Sequence, residues 1–189
     1  MMNATVKDQK KALRRLMREL KSQISQEQKQ SEADTVFAAI EATLEFSQAE
    51  SILLYYSLPD ELPTHEVLQC WHAIKRIYLP RVKGDDLEIV AYNGMIDDDN
   101  DFHIGEPVGP ALDVVPDMVI VPAVALDIRC HRMGRGRGYY DRLLQDSHSF
   151  KLGVALDCQL VENVPCEPHD QPLDAIATAQ QGIVYNINS

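Results

Sequence analysis

Asp117-Met118-Val119-Ile120-Val121-Pro122 carries four apolar residues in succession between an aspartate and a proline. A run this short and this uniformly apolar predicts a strand covered on both faces, the kind found inside parallel sheets flanked by helices. Towards the N-terminus, Val6, Leu13, Leu16, Met17, Leu20 and Ile24 recur at helical spacing among lysines and arginines. Ser25 with Gln28 three residues on has the form of a capping box, opening a second helix whose face carries Ala33, Val36, Phe37, Ile40 and Leu44. Ser51 to Tyr56 predicts a strand, and Thr64 predicts the cap of a helix that turns Val67, Leu68 and Trp71 inward. Arg76 to Leu79, ended by Pro80, and Leu87 to Tyr92 predict two more strands. Asp97 to Pro116, rich in Asp, Gly and Pro, predicts a long excursion with little regular structure. Lys151 to Leu156 and Ile183 to Tyr185 complete the strands. The order predicts one α/β domain over residues 1–189: a three-layer sandwich with a mainly parallel sheet, helices on both faces, and ligand loops at the carboxyl ends of the strands.

Composition narrows the function classes. The chain has 189 residues, 45% of them hydrophobic, enough for one well-filled core. Twenty-nine acidic against 18 basic residues give a net charge of −11, which argues against a general nucleic-acid surface or an anionic-membrane surface. Cys70, Cys130, Cys158 and Cys166 form no CxxC pair and no tight framework, and no window approaches the length of a membrane span, so a reduced, cytoplasmic protein is expected. The six histidines form no close ligand pattern with one another or with the cysteines, which leaves no transition-metal motif.

Beyond the buried strand lies Arg132-Met133-Gly134-Arg135-Gly136-Arg137-Gly138-Tyr139-Tyr140-Asp141-Arg142. Its glycines let backbone approach a ligand, and Arg135 and Arg137 present forked donors that match phosphate oxygens. Charges farther away than about 8 Å are largely screened, so the acidic total does not cancel the field of Arg129, Arg132, Arg135, Arg137 and Arg142. Tyr139, Tyr140, Leu143 and Leu144 follow at helical spacing, and free N–H groups at that helix start add positive potential. The stretch is neither a Walker A loop nor a dinucleotide fingerprint, since Tyr139 occupies the third glycine position. Residue types alone also allow a solvated turn or an arginine-glycine RNA tether, although flanking apolar segments set this stretch apart from a disordered tail. Asp141 suits a helix cap, an ion pair with Arg142, or a divalent cation beside phosphates.

Taken together, Asp117 to Pro122, then Asp127, then Arg132 to Arg142 resemble the signature region of 5-formyltetrahydrofolate cyclo-ligases, also called 5,10-methenyltetrahydrofolate synthetases. Lys10 to Arg14 resembles that family's N-terminal basic helix, Ser57 to Thr64 its folate-side loop, Ile104 to Pro107 its Glu-Pro segment, and His169 to Thr178 its C-terminal aspartate segment. The resemblance implies a Rossmann-like fold and conversion of 5-formyltetrahydrofolate to 5,10-methenyltetrahydrofolate, with ATP as co-substrate and Mg²⁺ as cofactor. It implies ATP contacts from Lys10, Arg14, Arg132, Met133, Gly134, Arg135, Gly136, Arg137, Gly138, Tyr139 and Tyr140. It implies Mg²⁺ carboxylates at Asp141 and Asp174 and a pterin-binding acid at Glu61.

Arg135 and Arg137 are the expected catalytic pair, stabilising a transferring phosphoryl group, while Tyr55, Leu58, Phe102 and Tyr140 are candidate walls for the pterin. Leu126 stands where the family has phenylalanine, Cys130 where it has glycine, and Pro63 where it has an acidic residue. Cys130, beside His131 and among arginines, reads either as a redox-sensitive thiol or as a small loop filler. A catalytically silent ATP- or folate-binding paralogue, acting as a sensor or reservoir, is the alternative reading of the whole.

Overall fold

The computed structural model describes residues 5–98, 105–145 and 147–187. Helix α1 (Val6–Lys21) begins with a reciprocal box in which Thr5 Oγ accepts from the Asp8 N–H while Asp8 accepts from the Thr5 N–H. Helix α2 (Gln26–Glu41) starts from Ser25, whose side chain accepts from Gln28 N. The expected reciprocal arm is not made, because the Gln28 side chain reaches forward to Glu32 at 3.0 Å. Then follow α3 (Leu44–Gln48), β1 (Ser51–Leu53), α4 (His65–His72), β2 (Arg76–Lys83), β3 (Asp86–Ala91), β4 (Ile96–Asp97), β5 (Glu106–Pro107) and β6 (Ala111–Leu112). The second half holds β7 (Met118–Pro122), β8 (Ala125–Leu126), β9 (Arg132–Met133), α5 (Tyr139–Leu144), β10 (Phe150–Val154), β11 (Ala175–Thr178) and β12 (Gly182–Tyr185).

Eight strands form one sheet in the order β12-β11-β10-β7-β1-β2-β3-β6. The five central strands β11, β10, β7, β1 and β2 are parallel, and the flanking strands β12, β3 and β6 join antiparallel. Along β7, Met118 and Ile120 face a core built with α2, α3 and α4, while Val119 and Val121 face a second core built with α5 and the β8–β9 hairpin. This is the expected three-layer, mainly parallel α/β arrangement. At the amino end of β7, Asp117 accepts from Ser51 N (2.9 Å), Ser51 Oγ (2.8 Å) and Glu50 N (3.0 Å), which fixes β1 beside it. Among the described residues no helix is long and apolar enough to cross a membrane.

Local differences from the sequence expectation have identifiable causes. Strand β2 runs through Pro80 instead of stopping there. Tyr78 turns its carbonyl to Leu54 N, so Pro80, two residues on, faces the same side at a level β1 no longer reaches, and no ladder bond is lost. Thr64 makes no helix cap; its hydroxyl donates to Tyr55 O (2.7 Å) and accepts from Ser57 N (3.1 Å), tying together the loop after β1. Strand β11, Ala-Ile-Ala-Thr, was not expected, because four small or apolar residues without alternation give little periodic signal.

The hairpin β8–β9 was also unexpected, and Asp127 holds it. This carboxylate is fully buried and accepts from the backbone N–H groups of Arg129 (2.9 Å), His131 (3.2 Å) and Val164 (2.9 Å), with His131 Nδ1 at 3.1 Å. Burial alone would raise its pKa, but the Val164 N–H and the His131 imidazole outweigh burial and hold the carboxyl below its ordinary range. At the hairpin tip Cys130 adopts φ 62°, the left-handed region in which glycine is at ease. Its thiol is buried against Val184 O and pushed up to about 11, first by burial and then by Asp127 and Asp174, which excludes the low-pKa redox reading.

Asp127→Asn should cost about 3 kcal/mol in urea unfolding at neutral pH, since buried donors lose a charged acceptor. The folded pKa is depressed, so this contribution is complete above the ordinary carboxylate value and is lost as pH falls through the folded one. The stability gap between wild type and variant should therefore hold above about pH 5 and narrow as pH falls below the ordinary carboxylate value; a constant gap would show that the charge contributes nothing. A thiol reagent at neutral pH should label exposed Cys70 and Cys166 in the native protein, and Cys130 only after unfolding. Labelling of native Cys130 would contradict its burial.

Candidate functional site

A cleft of about 530 Å³ opens at the carboxyl ends of β1, β2 and β7, a size ordinary for small-molecule sites. Its walls include Lys10 and Arg14 from α1, Tyr55, Leu58 and Glu61 from the loop after β1, and every residue from Arg132 to Asp141. Residues expected from separate parts of the chain therefore meet in one place. Phe102 lies outside the described residues.

The hairpin delivers the Gly-Arg stretch to the cleft rim. Gly136 (φ 100°) and Gly138 (φ 69°) adopt backbone conformations that side chains resist, and a Cβ on Gly136 would stand 3.3 Å from the Arg14 guanidinium. Arg14 holds the loop from outside, donating from Nε to Gly134 O at 3.0 Å. Helix α5 has only six residues, so the positive potential at the rim comes chiefly from guanidinium groups. Arg132 is buried, donates from Nη2 to Asp141 (2.9 Å), lies over the Tyr140 ring, and has a buried Nε that finds no hydrogen-bond partner among the described residues. Arg137 is exposed on the cleft, and among the described residues it makes no ion pair. Arg135 instead reaches across to Asp60 (2.5 Å) and Glu61 (3.0 Å).

Opposite the loop, buried Lys10 donates to Asp170 (2.6 Å) and Glu167 (2.8 Å). Burial lowers the Lys10 pKa, yet these two carboxylates more than compensate and hold the ammonium above its ordinary value. Gln171 N approaches Asp141 Oδ1 at 3.5 Å, which sets Asp170 and Asp141 beside the same part of the cleft. Tyr55 donates its hydroxyl to Leu62 O (2.8 Å), and burial raises both its pKa and that of Tyr140, so both rings stay neutral. Glu61 Oε2 accepts from Leu58 N at 3.0 Å.

Asp174 is not brought to this site. It sits at the amino end of β11, where its carboxylate accepts from Lys151 N (2.7 Å) and its carbonyl from Asn186 N (2.8 Å), and it is absent from the cleft walls. The sheet explains this placement: a residue directly preceding a parallel strand lies at the end opposite the ligand loops. Asp170, four residues earlier in a polar loop, is the aspartate of this segment that lines the cleft. Glu167 and Asp60 were missed as well. Each sits in a turn rich in proline and carboxylates, where surface acids are ordinary.

The fold is a three-layer α/β sandwich whose strand ends open into a cleft lined by arginine and lysine, the layout of a small-molecule site with a cationic rim. The profile of the 5-formyltetrahydrofolate cyclo-ligase family matches residues 6–179, and the chain belongs to that family. It is 37% identical over 142 residues to the 5-formyltetrahydrofolate cyclo-ligase of Escherichia coli K12, covering 69% of this chain and 78% of that one. A probable 5-formyltetrahydrofolate cyclo-ligase from Caenorhabditis elegans is 26% identical across 97% of this chain and 98% of its own. Among solved structures, the 5,10-methenyltetrahydrofolate synthetase of Aquifex aeolicus superposes with a TM-score of 0.82 at 26% identity, covering 95% of this chain and 94% of that one. The Mycoplasma pneumoniae synthetase shares the fold at a TM-score of 0.72 and 21% identity, over 90% of this chain and 98% of its own.

Gly136→Ala should strain the loop and push Arg14 off the Gly134 carbonyl. Wild-type protein is expected to gain several degrees in melting temperature with millimolar tripolyphosphate, and Gly136→Ala to gain little. An equal gain in both would remove loop geometry from anion binding.

Proposed function

We propose that this protein converts 5-formyltetrahydrofolate to 5,10-methenyltetrahydrofolate at the expense of ATP. One observation carries the reading: a phosphate-type loop and a carboxylate suited to a pterin face each other across one cleft, close enough for Arg135 to bond Glu61 at 3.0 Å. An enzyme that phosphorylates one substrate with another needs this juxtaposition.

A formyl oxygen on nitrogen is a poor leaving group. In the proposed reaction it attacks the γ-phosphorus of ATP, forming an O–P bond as the β,γ-bridging bond breaks and ADP leaves. The folate's second nitrogen then attacks the formyl carbon, the ring closes, the nitrogen loses its proton, and phosphate departs with the former formyl oxygen. Positioning and charge neutralisation supply most of the acceleration in phosphoryl transfer. In this reading Arg137, which makes no ion pair among the described residues, and Lys10 and Arg14 on the facing helix do that work. Glu61 would accept the paired N–H donors of the aminopyrimidine, with Tyr55, Leu58 and Tyr140 as apolar walls.

Asp141 and Asp170 are hard oxygen donors on the same part of the cleft and fit Mg²⁺, which takes one or two carboxylates and completes its shell with phosphate and water. Bound there, the ion would neutralise charge on the nucleotide phosphates. Asp170 replaces Asp174 in this assignment.

Purified protein given 5-formyltetrahydrofolate and MgATP should develop the near-ultraviolet band of the methenyl product, and should not do so without ATP or with a chelator. No product despite demonstrable binding would sink the catalytic reading. Asp170→Asn should raise the Mg²⁺ concentration for half-maximal rate about tenfold. Asp174→Asn should leave that concentration unchanged and lower the melting temperature by a few degrees, and the reverse pattern would restore Asp174 to the metal.

A further inference from the structure

Arg135 belongs to the phosphate loop, yet its guanidinium is engaged with the acidic turn across the cleft. Nε and Nη2 both donate to Glu61 Oε1, at 3.2 and 3.0 Å, and Nη2 also donates to Asp60 Oδ1 at 2.5 Å. The turn itself is pinned from behind: Asp60 Oδ2 accepts from the buried Lys21 Nζ at 2.5 Å, and Lys29 Nζ donates to Pro59 O at 2.8 Å. Two cations and two carboxylates, Lys21, Arg135, Asp60 and Glu61, thus form a locally neutral cluster between the two halves of the cleft.

A carboxylate oxygen has about two acceptor sites, and Arg135 fills both on Glu61 Oε1. An aminopyrimidine that binds Glu61 through two parallel N–H groups needs one oxygen for each. Arg135 must therefore leave Oε1 when a pterin arrives, whereas its bond to Asp60 involves no atom that the pterin needs. Burial pulls the Asp60 pKa upward, but its bonds to Lys21 and Arg135 hold it below the ordinary range, so it stays an anion throughout.

Resting on the cyclo-ligase reading, we infer that Asp60 is a positioning residue for Arg135 and that Glu61 latches this arginine away from the phosphates until the folate claims Glu61. Asp60, anchored by Lys21, is the pivot on which the guanidinium turns from the acidic turn toward the γ-phosphate. Folate binding thereby strengthens nucleotide binding, and by linkage the nucleotide strengthens folate binding by the same factor.

The test is calorimetric titration of a non-hydrolysable β,γ-imido ATP analogue with Mg²⁺, with and without saturating 5-formyltetrahydrofolate. Wild type, Glu61→Gln, Arg135→Ala and the double variant form one cycle. In wild type the folate should lower the nucleotide Kd about fivefold or more. Without folate, Glu61→Gln should bind the nucleotide more tightly than wild type, and this gain should vanish in the Arg135→Ala background. A gain that persists without Arg135 would mean simple relief of negative charge and would overturn the latch. So would unchanged or weaker nucleotide binding in Glu61→Gln, or folate-independent affinity in a wild type that binds both ligands. Binding of neither ligand would remove the cyclo-ligase reading and the latch with it. For the pivot, Asp60→Asn offers one acceptor oxygen to two cations and should lower kcat more than tenfold with the folate KM within about twofold. A parallel rise in both KM values with unchanged kcat would make Asp60 merely structural, and should that variant fail to fold, the Glu61 and Arg135 cycle still decides the latch.

Discussion

Burial of β7 on both faces constrains everything downstream of it. Met118 and Ile120 pack into one core and Val119 and Val121 into the other, so the chain leaving Pro122 has no free face to continue along. It doubles back as the β8–β9 hairpin, whose tip carries Cys130 in a left-handed turn and whose buried Asp127 bonds three backbone N–H groups. Only after that return does Arg132 re-emerge at the carboxyl end of the sheet, where the Gly-Arg loop begins. The hairpin is therefore the device that converts a buried strand into a rim of guanidinium groups, and its rigidity sets how well the loop is placed.

Charge is organised at a finer scale than the net value of −11 suggests. Lys10, Lys21 and Arg132 are each buried, and each has a carboxylate at 2.5–2.9 Å. A buried cation without a partner would cost several kcal/mol, so the acidic residues around the cleft keep its basic residues charged and in place. The acidic excess is in this sense compatible with an anion site: carboxylates behind the buried cations hold them while Arg137 stays exposed on the cleft.

Much of this was legible from residue types. The β7 run, the amphipathic spacing of α1 and the Gly-Arg stretch each carry a strong local signal, and they yielded the layered fold, the position of the cleft and its loop. The failures share a physical origin: they concern residues whose role is set by partners distant in sequence. Thr64 looked like a cap but serves the loop after β1, and Pro80 looked like a strand end but faces a level that β1 has already vacated. Strand β11, short and rich in alanine, gave no periodicity. Without it, nothing in the residue types placed Asp174 at the amino end of the sheet, away from the cleft to which the family resemblance assigned it.

The same partner logic connects the free cleft to its ligands. Arg137 apart, each cation expected to meet phosphate already rests on something negative or dipolar: Lys10 on Asp170 and Glu167, Arg14 on a carbonyl, Arg132 on Asp141, Arg135 on Asp60 and Glu61. Ligand binding is then an exchange of partners more than the filling of an empty positive hole, and the charged groups stay compensated before and after. Such an exchange favours ligands that satisfy both sides of the cleft, because a phosphate that draws a cation away leaves a carboxylate to be satisfied in turn. On the proposed reaction, Mg²⁺ would suit the carboxylates released by Lys10 and Arg132, and pterin N–H groups the one released by Arg135. On the proposed reaction, a cleft wired this way would discriminate against either substrate alone and so limit the hydrolysis of ATP by water.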